Sequence, residues 1–280
     1  MSKGTGSSLK AASEPRVRRG YFECRYGQLH VYHVMPAGGG FEEGTPLVCL
    51  HRSPLSGSLF EPFMRCAGRD RSVYAPDFPG FGESDPPPAR PSLTDWAGSI
   101  GDFLDTMRLR QVDLLGDRLG ALLAVELAVT RPKQIRRLVL TSVPLLTDTE
   151  RESVRRAQQP TPPAPDGTHL AFEWQRTVQA YGPAAPPDVI ARAFAERQRN
   201  AARAGWEFAL LAQHALRERL SLVTQQALIL RVRDELWDAT GRVREVLPKA
   251  RITELPEHGY GLFQLAPEVA FGAVREFLRG

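Results

Sequence analysis

An α/β domain on a mostly parallel, doubly wound sheet, interrupted by a helical insertion, is the fold class that the sequence predicts. Three observations carry that prediction. First, PLVCLH (46–51), SVYAPD (72–77), VDLLG (112–116) and RRLVLTS (136–142) are short, continuous apolar runs, the pattern of strands covered on both faces. Second, helical segments near 56–67, 94–107 and 118–130 separate them, and strands alternating with helices on this scale imply parallel pairing through crossovers. Third, the rhythm stops from Val143 to about Gln225 and returns with ALILRV (227–232), which marks an insertion within one domain.

The chain has 280 residues, enough for one large core plus an insert. Residues 1–19 read as a disordered tail: Lys3, Lys10, Arg16, Arg18 and Arg19 face only Glu14, and no apolar h-region or cleavage site is present. That segment holds much of the formal +4 charge, so the charge points to a solvated tail and not to nucleic acid. YFECRY and QLHVYHV, split by Gly27, read as an antiparallel hairpin. The core is expected over 20–145 and 226–280, with a helical cap over 146–225. Within the cap, Pro160, Pro162, Pro163, Pro165, Pro183, Pro186 and Pro187 break up helix-like stretches such as ARAFAERQRNAARAGWEFALLAQHALRERL. After ALILRV come a helix through VREVL, the strand RITELP (251–256) and a closing helix from Pro267 to Leu278.

No apolar stretch approaches the roughly 20 residues of a membrane span, so no membrane partner is expected and a cytoplasmic location follows by default. Cys24, Cys49 and Cys66 show neither a disulfide framework nor metal-ligand spacing and read as packing residues. Neither a phosphate-binding glycine loop nor a nicotinamide fingerprint occurs, so the expectation is no cofactor and no metal. Arginine far outnumbers lysine, and alanine and proline are abundant, which suggests a GC-rich bacterial genome. Oligomeric state is not legible.

Four motifs in order carry a resemblance: LHRSP (50–54), APDFPGFGESD (75–85), Gly116-Asp117-Arg118-Leu119-Gly120, and the ending HGYGLFQLAPEVAFGAVREFL. From Tyr21 onward the chain resembles the α/β-hydrolase fold superfamily. The first motif is similar to the strand-end HGxP beside an oxyanion hole, the third to the GxSxG nucleophile elbow, and the last to the ending that supplies the family histidine. The resemblance implies a triad of nucleophile, histidine and acid, and the sequence departs from it. Arg118 stands at the elbow apex, and a permanently charged guanidinium has no lone pair for a carbonyl carbon. Seven residues before Pro267 stands Tyr260, with His258 two positions away as a second candidate. Alignment of ALILRVRDELW puts Glu235 at the acid position and Asp234 next to it.

The arginine needs an anion, because an unpartnered buried guanidinium costs several kcal/mol. Two are available: Glu235, with Tyr260 hydrogen-bonding to either, or a carboxylate, phosphate or enolate on a ligand at the helix N-terminus. The Leu119 N–H, next after the apex, retains half of an oxyanion hole, while Arg52 in place of a glycine leaves the Ser53 half open. Asp117 flanks the apex but is offset by one position. His51 supports loop packing, and Ser53, Ser56, Ser84 and Ser142 have no histidine at a predictable distance. Trp174 and Trp206, with other cap aromatics, form core or line a pocket for an apolar substrate.

Losing the serine or histidine of such a triad costs roughly 10⁶ in turnover in a protease. The expected function is therefore a non-hydrolytic, cofactor-free biosynthetic enzyme, a cyclase, isomerase or lyase, acting on a small apolar substrate with a carbonyl or carboxylate end. A catalytically inactive pseudo-hydrolase that binds a ligand or serves as a scaffold is the alternative. Hydrolysis through a displaced nucleophile is the lesser one.

Overall fold

The computed structural model describes residues 15–36, 43–157, 163–213 and 215–280. Most of the expected tail (1–14) and the prolines at 160 and 162 lie outside the described residues. Eight strands form one sheet: β1 (Arg18–Cys24), β2 (Gly27–Val34), β3 (Gly44–Leu50), β4 (Arg71–Pro76), β5 (Val112–Asp117), β6 (Ile135–Thr141), β7 (Gln226–Val232) and β8 (Arg251–Leu255). Their order is β1-β2-β4-β3-β5-β6-β7-β8. β1 pairs antiparallel with β2 and β2 antiparallel with β4, while every pair from β4 to β8 is parallel.

The hairpin begins earlier than expected. Arg18 and Arg19, assigned above to the tail, pair with His33 and Tyr32; both are exposed, so the edge strand extends through them without burying a charge. The chain reverses at Arg25 and Tyr26, and Gly27 at φ +104° opens β2.

Helices α1 (Glu61–Ala67), α2 (Leu93–Thr106) and α3 (Leu119–Thr130) follow β3, β4 and β5. Between β6 and β7 come α4 (Asp148–Ala157), α5 (Thr168–Tyr181), α6 (Pro187–Arg199), α7 (Trp206–Gln213) and α8 (Leu216–Ser221). Then α9 (Trp237–Gly241) and α10 (Val243–Val246) precede β8, and α11 (Leu262–Leu265) and α12 (Pro267–Arg279) close the chain. Pro187 and Pro267 stand in the first turns of α6 and α12, where a missing N–H costs nothing.

The sheet separates two apolar layers. One holds Phe103 of α2 and the buried length of α3; the other joins Phe63 of α1 to Phe263 and Phe271 of α11 and α12. α3 is apolar from Leu119 to Ala128 except for Glu126, whose carboxylate is met by Arg219 and Thr94, and it is buried all round, which is what such a pattern requires. Among the described residues, no helix is long and apolar enough to cross a membrane.

Two polar anchors hold the loops at the carboxyl ends of the strands. Asp77 accepts hydrogen bonds from Gly57 N (2.7 Å), Glu83 N (3.0 Å) and the His30 ring (2.8 Å), which ties the 77–85 loop to β2 and to the turn before α1. Ser84 and Ser56 belong to this scaffold: the Ser84 hydroxyl donates to Asp77 O, and Ser56 caps the turn at Gly57–Phe60. His51 accepts from Phe78 N at 2.9 Å and its other ring nitrogen lies 3.0 Å from Arg52 O. Full burial pushes the His51 ring down to about 4, with Asp77 opposing, so it stays neutral as a loop strut.

The turn from β5 into α3 leaves no room for side chains beside it. A Cβ on Gly120 would lie 1.9 Å from Leu50 O, and one on Gly116 would lie 2.3 Å from Gly120 O. Because the obstacles are backbone, Gly120→Ala is expected to destabilise the protein by about 3 kcal/mol, read as a fall in the urea midpoint at unchanged slope.

Candidate active site

The apex residue between β5 and α3 is Arg118, at φ 55° and ψ −109°. A non-glycine residue with positive φ costs of order 1–3 kcal/mol and persists only where its surroundings impose it. Here Arg118 N–H donates to Thr141 O (3.1 Å), and α3 starts at the next residue. The side chain is 12% exposed and is clamped by two consecutive acids from the loop after β7. Nη1 donates to Glu235 Oε1 at 2.7 Å and Nη2 to Asp234 Oδ2 at 3.0 Å, while Nε is buried with no hydrogen-bond partner among the described residues.

Asp234 is the buried partner, 2% exposed, and its carboxylate also accepts from Ser142 Oγ (2.6 Å) and Leu236 N (2.9 Å). Ser142, at φ 51°, is thus a brace on the acid. Partial desolvation opposes ionisation of Glu235, whose side chain is still 62% exposed, yet the hydrogen bond and charge of Arg118 win and hold its carboxyl down at about 2.

The structure brings Tyr260 to the same place, but by its ring. Arg52 Cζ and Arg118 Cζ lie 3.9 and 4.8 Å from the ring centroid, and Tyr181 meets it edge-on at 5.0 Å. The expected hydrogen bond from Tyr260 to Arg118 or Glu235 is replaced by these cation–π contacts, because Asp234 already occupies the second terminal nitrogen of the guanidinium. Arg52 and Asp117, expected to bind substrate, are instead buried together as an ion pair of 2.8 Å behind the apex. Burial raises the Asp117 carboxyl, against the pull of Arg52 and Arg118.

These groups sit at the carboxyl ends of the parallel strands, the place where open α/β sheets bind ligands. There a cavity of about 1040 Å³ opens, with Arg118, Ser53, Glu235 and Tyr260 in its wall and residues of α4, α5, α6 and α7 around it. Ser53 Oγ is buried with no hydrogen-bond partner among the described residues. Leu119 is fully buried and contributes the first N–H of α3, one of the four that a helix leaves unpaired. A smaller recess of about 730 Å³ shares Glu235 and Tyr260 with the main cavity.

Three expected site residues lie elsewhere. His258 lines the smaller recess beside Tyr260 but not the main cavity, held by its backbone between Leu255 O and Arg233 N. Trp206 packs in the core against Trp96 (5.9 Å) and Phe81 (6.2 Å). Trp174 stands on the outer face of α5 against Phe194 (5.4 Å).

Sequence reasoning missed Glu207. This first-turn residue of α7 is 8% exposed and lines the main cavity, and among the described residues no hydrogen bond or ion pair reaches it. Burial raises its carboxyl most; Arg118 and Arg52 pull down, Asp117 and Glu235 push up, and the result is about 7. The signal was a lone acid in the apolar run WEFALLA. Among the described residues, no His, Cys, Asp or Glu cluster fits a metal ion.

The pH dependence of folding follows from that carboxyl. Its ordinary value is 4.5, so between about pH 4.5 and 7 the folded chain holds a proton that the unfolded chain has released. The stability contributed by neutral Glu207 is therefore complete below pH 4.5 and is lost as pH rises through 7, approaching about 3 kcal/mol. Urea titrations from pH 5 to 8 are expected to record this decline, and Glu207→Gln to flatten it.

The alpha/beta hydrolase fold family matches residues 45–226. A 2-hydroxymuconate semialdehyde hydrolase of Pseudomonas sp. (strain CF600) is 34% identical over 101 residues, 35% of this chain and 36% of that protein. A pimeloyl-[acyl-carrier protein] methyl ester esterase of Shewanella woodyi is 35% identical over 112 residues, 40% of this chain and 41% of that protein. The chain thus aligns with only about two fifths of the length of these curated relatives. Among solved structures, a hydrolase from Pseudomonas aeruginosa PA01 superposes with a TM-score of 0.73 at 21% identity, over 94% of this chain and 98% of that one. An enol-lactonase from Burkholderia xenovorans LB400 gives 0.71 at 17%, over 93% and 100%; at such identities the likeness speaks for the fold alone. With the family matched over well over half of the sequence, from β3 to the start of β7, this chain belongs to the α/β-hydrolase fold family.

Proposed function

We propose that the chain is an enzyme that converts a small molecule in this cavity by electrostatic and acid–base catalysis, without an acyl-enzyme. One observation carries the reading: the elbow apex is Arg118, and both its terminal nitrogens are engaged by Asp234 and Glu235. A guanidinium cannot attack a carbonyl carbon, and Tyr260, at the family's histidine position, meets it by ring contact. The elbow apex and the family's histidine position therefore hold no serine–histidine pair.

The same clamp narrows the ligand. Arg118 and Arg52 face Asp117, Asp234 and Glu235, so the cluster carries no surplus positive charge to draw in a carboxylate or phosphate. A carbonyl oxygen, served by neutral or partial donors such as the Leu119 N–H, suits it better. Leu146, Val154, Phe208 and Leu211 in the cavity wall supply an apolar surround, so the insertion acts as a cap over an apolar substrate with a carbonyl end. No nucleic acid, membrane or cofactor enters this reading, and isomerisation, cyclisation and elimination all fit it.

Hydrolysis through a displaced nucleophile is the second reading, favoured by the hydrolase names of the curated relatives and by the buried Ser53 hydroxyl at the cavity. An ester-mimicking fluorophosphonate separates the two. Intact-mass measurement after incubation is expected to find no adduct, whereas a stable adduct mapped to Ser53 would replace the first reading by the second.

A further inference from the structure

We propose that Glu207 is the proton-transfer residue of the cavity, taking a proton from a carbon next to a carbonyl group of the substrate and returning it elsewhere on the same molecule. The proposal deepens the non-covalent reading and rests on it. It starts from an exception in the structure's own pattern. The buried acids Asp77, Asp113, Asp117, Asp234 and Glu126 are each matched by cations, backbone N–H groups or hydroxyls. Glu207, nine-tenths buried, has no such match among the described residues and faces open volume. A buried carboxyl left unmatched beside a cavity is costly, and such groups collect where chemistry uses them.

The neighbourhood decides which chemistry fits. From the elbow and the loops after β3 and β7, Arg118, Asp117, Arg52 and Glu235 act on Glu207. From α4, which packs against α7, Glu150 also reaches the cavity, but its charge is tied to Arg242. Arg118, the strongest opposing charge, keeps the carboxylate form within reach, while burial keeps the acid form within reach; the group titrates at about 7 and serves as base and acid in turn. Glu235 cannot share this duty: ionised and hydrogen-bonded to Arg118, it is a weak base.

The step balances without an oxidant or a co-reactant. The Glu207 carboxylate takes a proton from carbon, the C–H electron pair passes into a carbon–carbon double bond, and the carbonyl oxygen becomes an enolate oxygen. The Leu119 N–H, at the start of α3, is a donor of the kind that stabilises such an oxygen. In a substrate whose acidified carbon also bears a carbon–carbon double bond, this enolate is a dienolate, and the protonated Glu207 returns its proton at the far carbon of that double bond, which moves the double bond into conjugation with the carbonyl group and leaves an isomer of the substrate.

The test uses 5-nitrobenzisoxazole, a small aromatic carbon acid. A base removes its ring C–H proton, the electron pair forms a nitrile, and the N–O bond breaks to release a coloured nitrophenolate. With the intact protein, turnover is expected to rise with pH on a single titration near 7. Glu207→Gln is expected to lower it about 100-fold while still melting cooperatively, and Glu207→Asp to retain a measurable part with a shifted midpoint. Wild-type turnover no faster than buffer, or an unchanged rate and midpoint in Glu207→Gln, would overturn the proposal. Should the glutamine variant fail to fold, the wild-type pH profile and the aspartate variant decide. The probe has no acyl carbon, so the outcomes are separable: a phosphonate adduct sinks the non-covalent reading and leaves Glu207 standing, and a silent Glu207 leaves that reading untouched.

Discussion

A positive charge that cannot be discharged, held at a strained turn beneath a helix N-terminus, must be balanced where it stands. Both the backbone and the dipole of α3 work against the guanidinium of Arg118: the residue sits at positive φ, and the first turn of the helix adds partial positive charge. Asp234 and Glu235 answer it from β7, Ser142 braces Asp234 from β6, and Tyr260 covers it from the segment after β8. Three neighbouring chain segments thus converge on one side chain in the wall of the cavity.

The behaviour of the two cavity carboxyls follows from how that charge is shared. Glu235 lies within hydrogen-bonding distance of the arginine and is driven to full ionisation; Glu207 feels the arginine without touching it and is left between its two forms. Contact with that cation on one side and deeper burial on the other therefore separate two chemically identical groups by several pH units. Pairs pushed apart in this way commonly divide the roles of fixed charge and proton carrier.

Much of the framework was legible in the sequence, because it depends on patterns that survive without tertiary information. Continuous apolar runs located the parallel strands of the sheet, and the glycines flanking Arg118 located the elbow. The site was less legible where an outcome depended on competition between neighbours. Tyr260 gave up a hydrogen bond to Asp234 because the geometry of a fork with two terminal nitrogens is not written in spacing. Trp206 went to Trp96 because a distant aromatic cluster offered it more contact than the cavity did. Arg18 and Arg19 joined a strand since charged side chains on its exposed edge cost nothing. Glu207 escaped notice since one acid in an apolar helix looks like a solvated position until the helix is docked.

The consecutive acids of the β7 loop also make the apex self-locking. A chain that exchanged its arginine for a small hydroxyl residue in one step would strand Asp234 and Glu235 side by side with no cation between them, above a buried Asp117. Asp234 and Glu235 would then repel each other, with Arg52 still balancing Asp117, and the loop would have to open or take up a proton to survive. Passage between this sequence and one with a nucleophile at the apex therefore demands concerted changes at several positions, so a lineage that has acquired such a constellation is held in it by its own electrostatics.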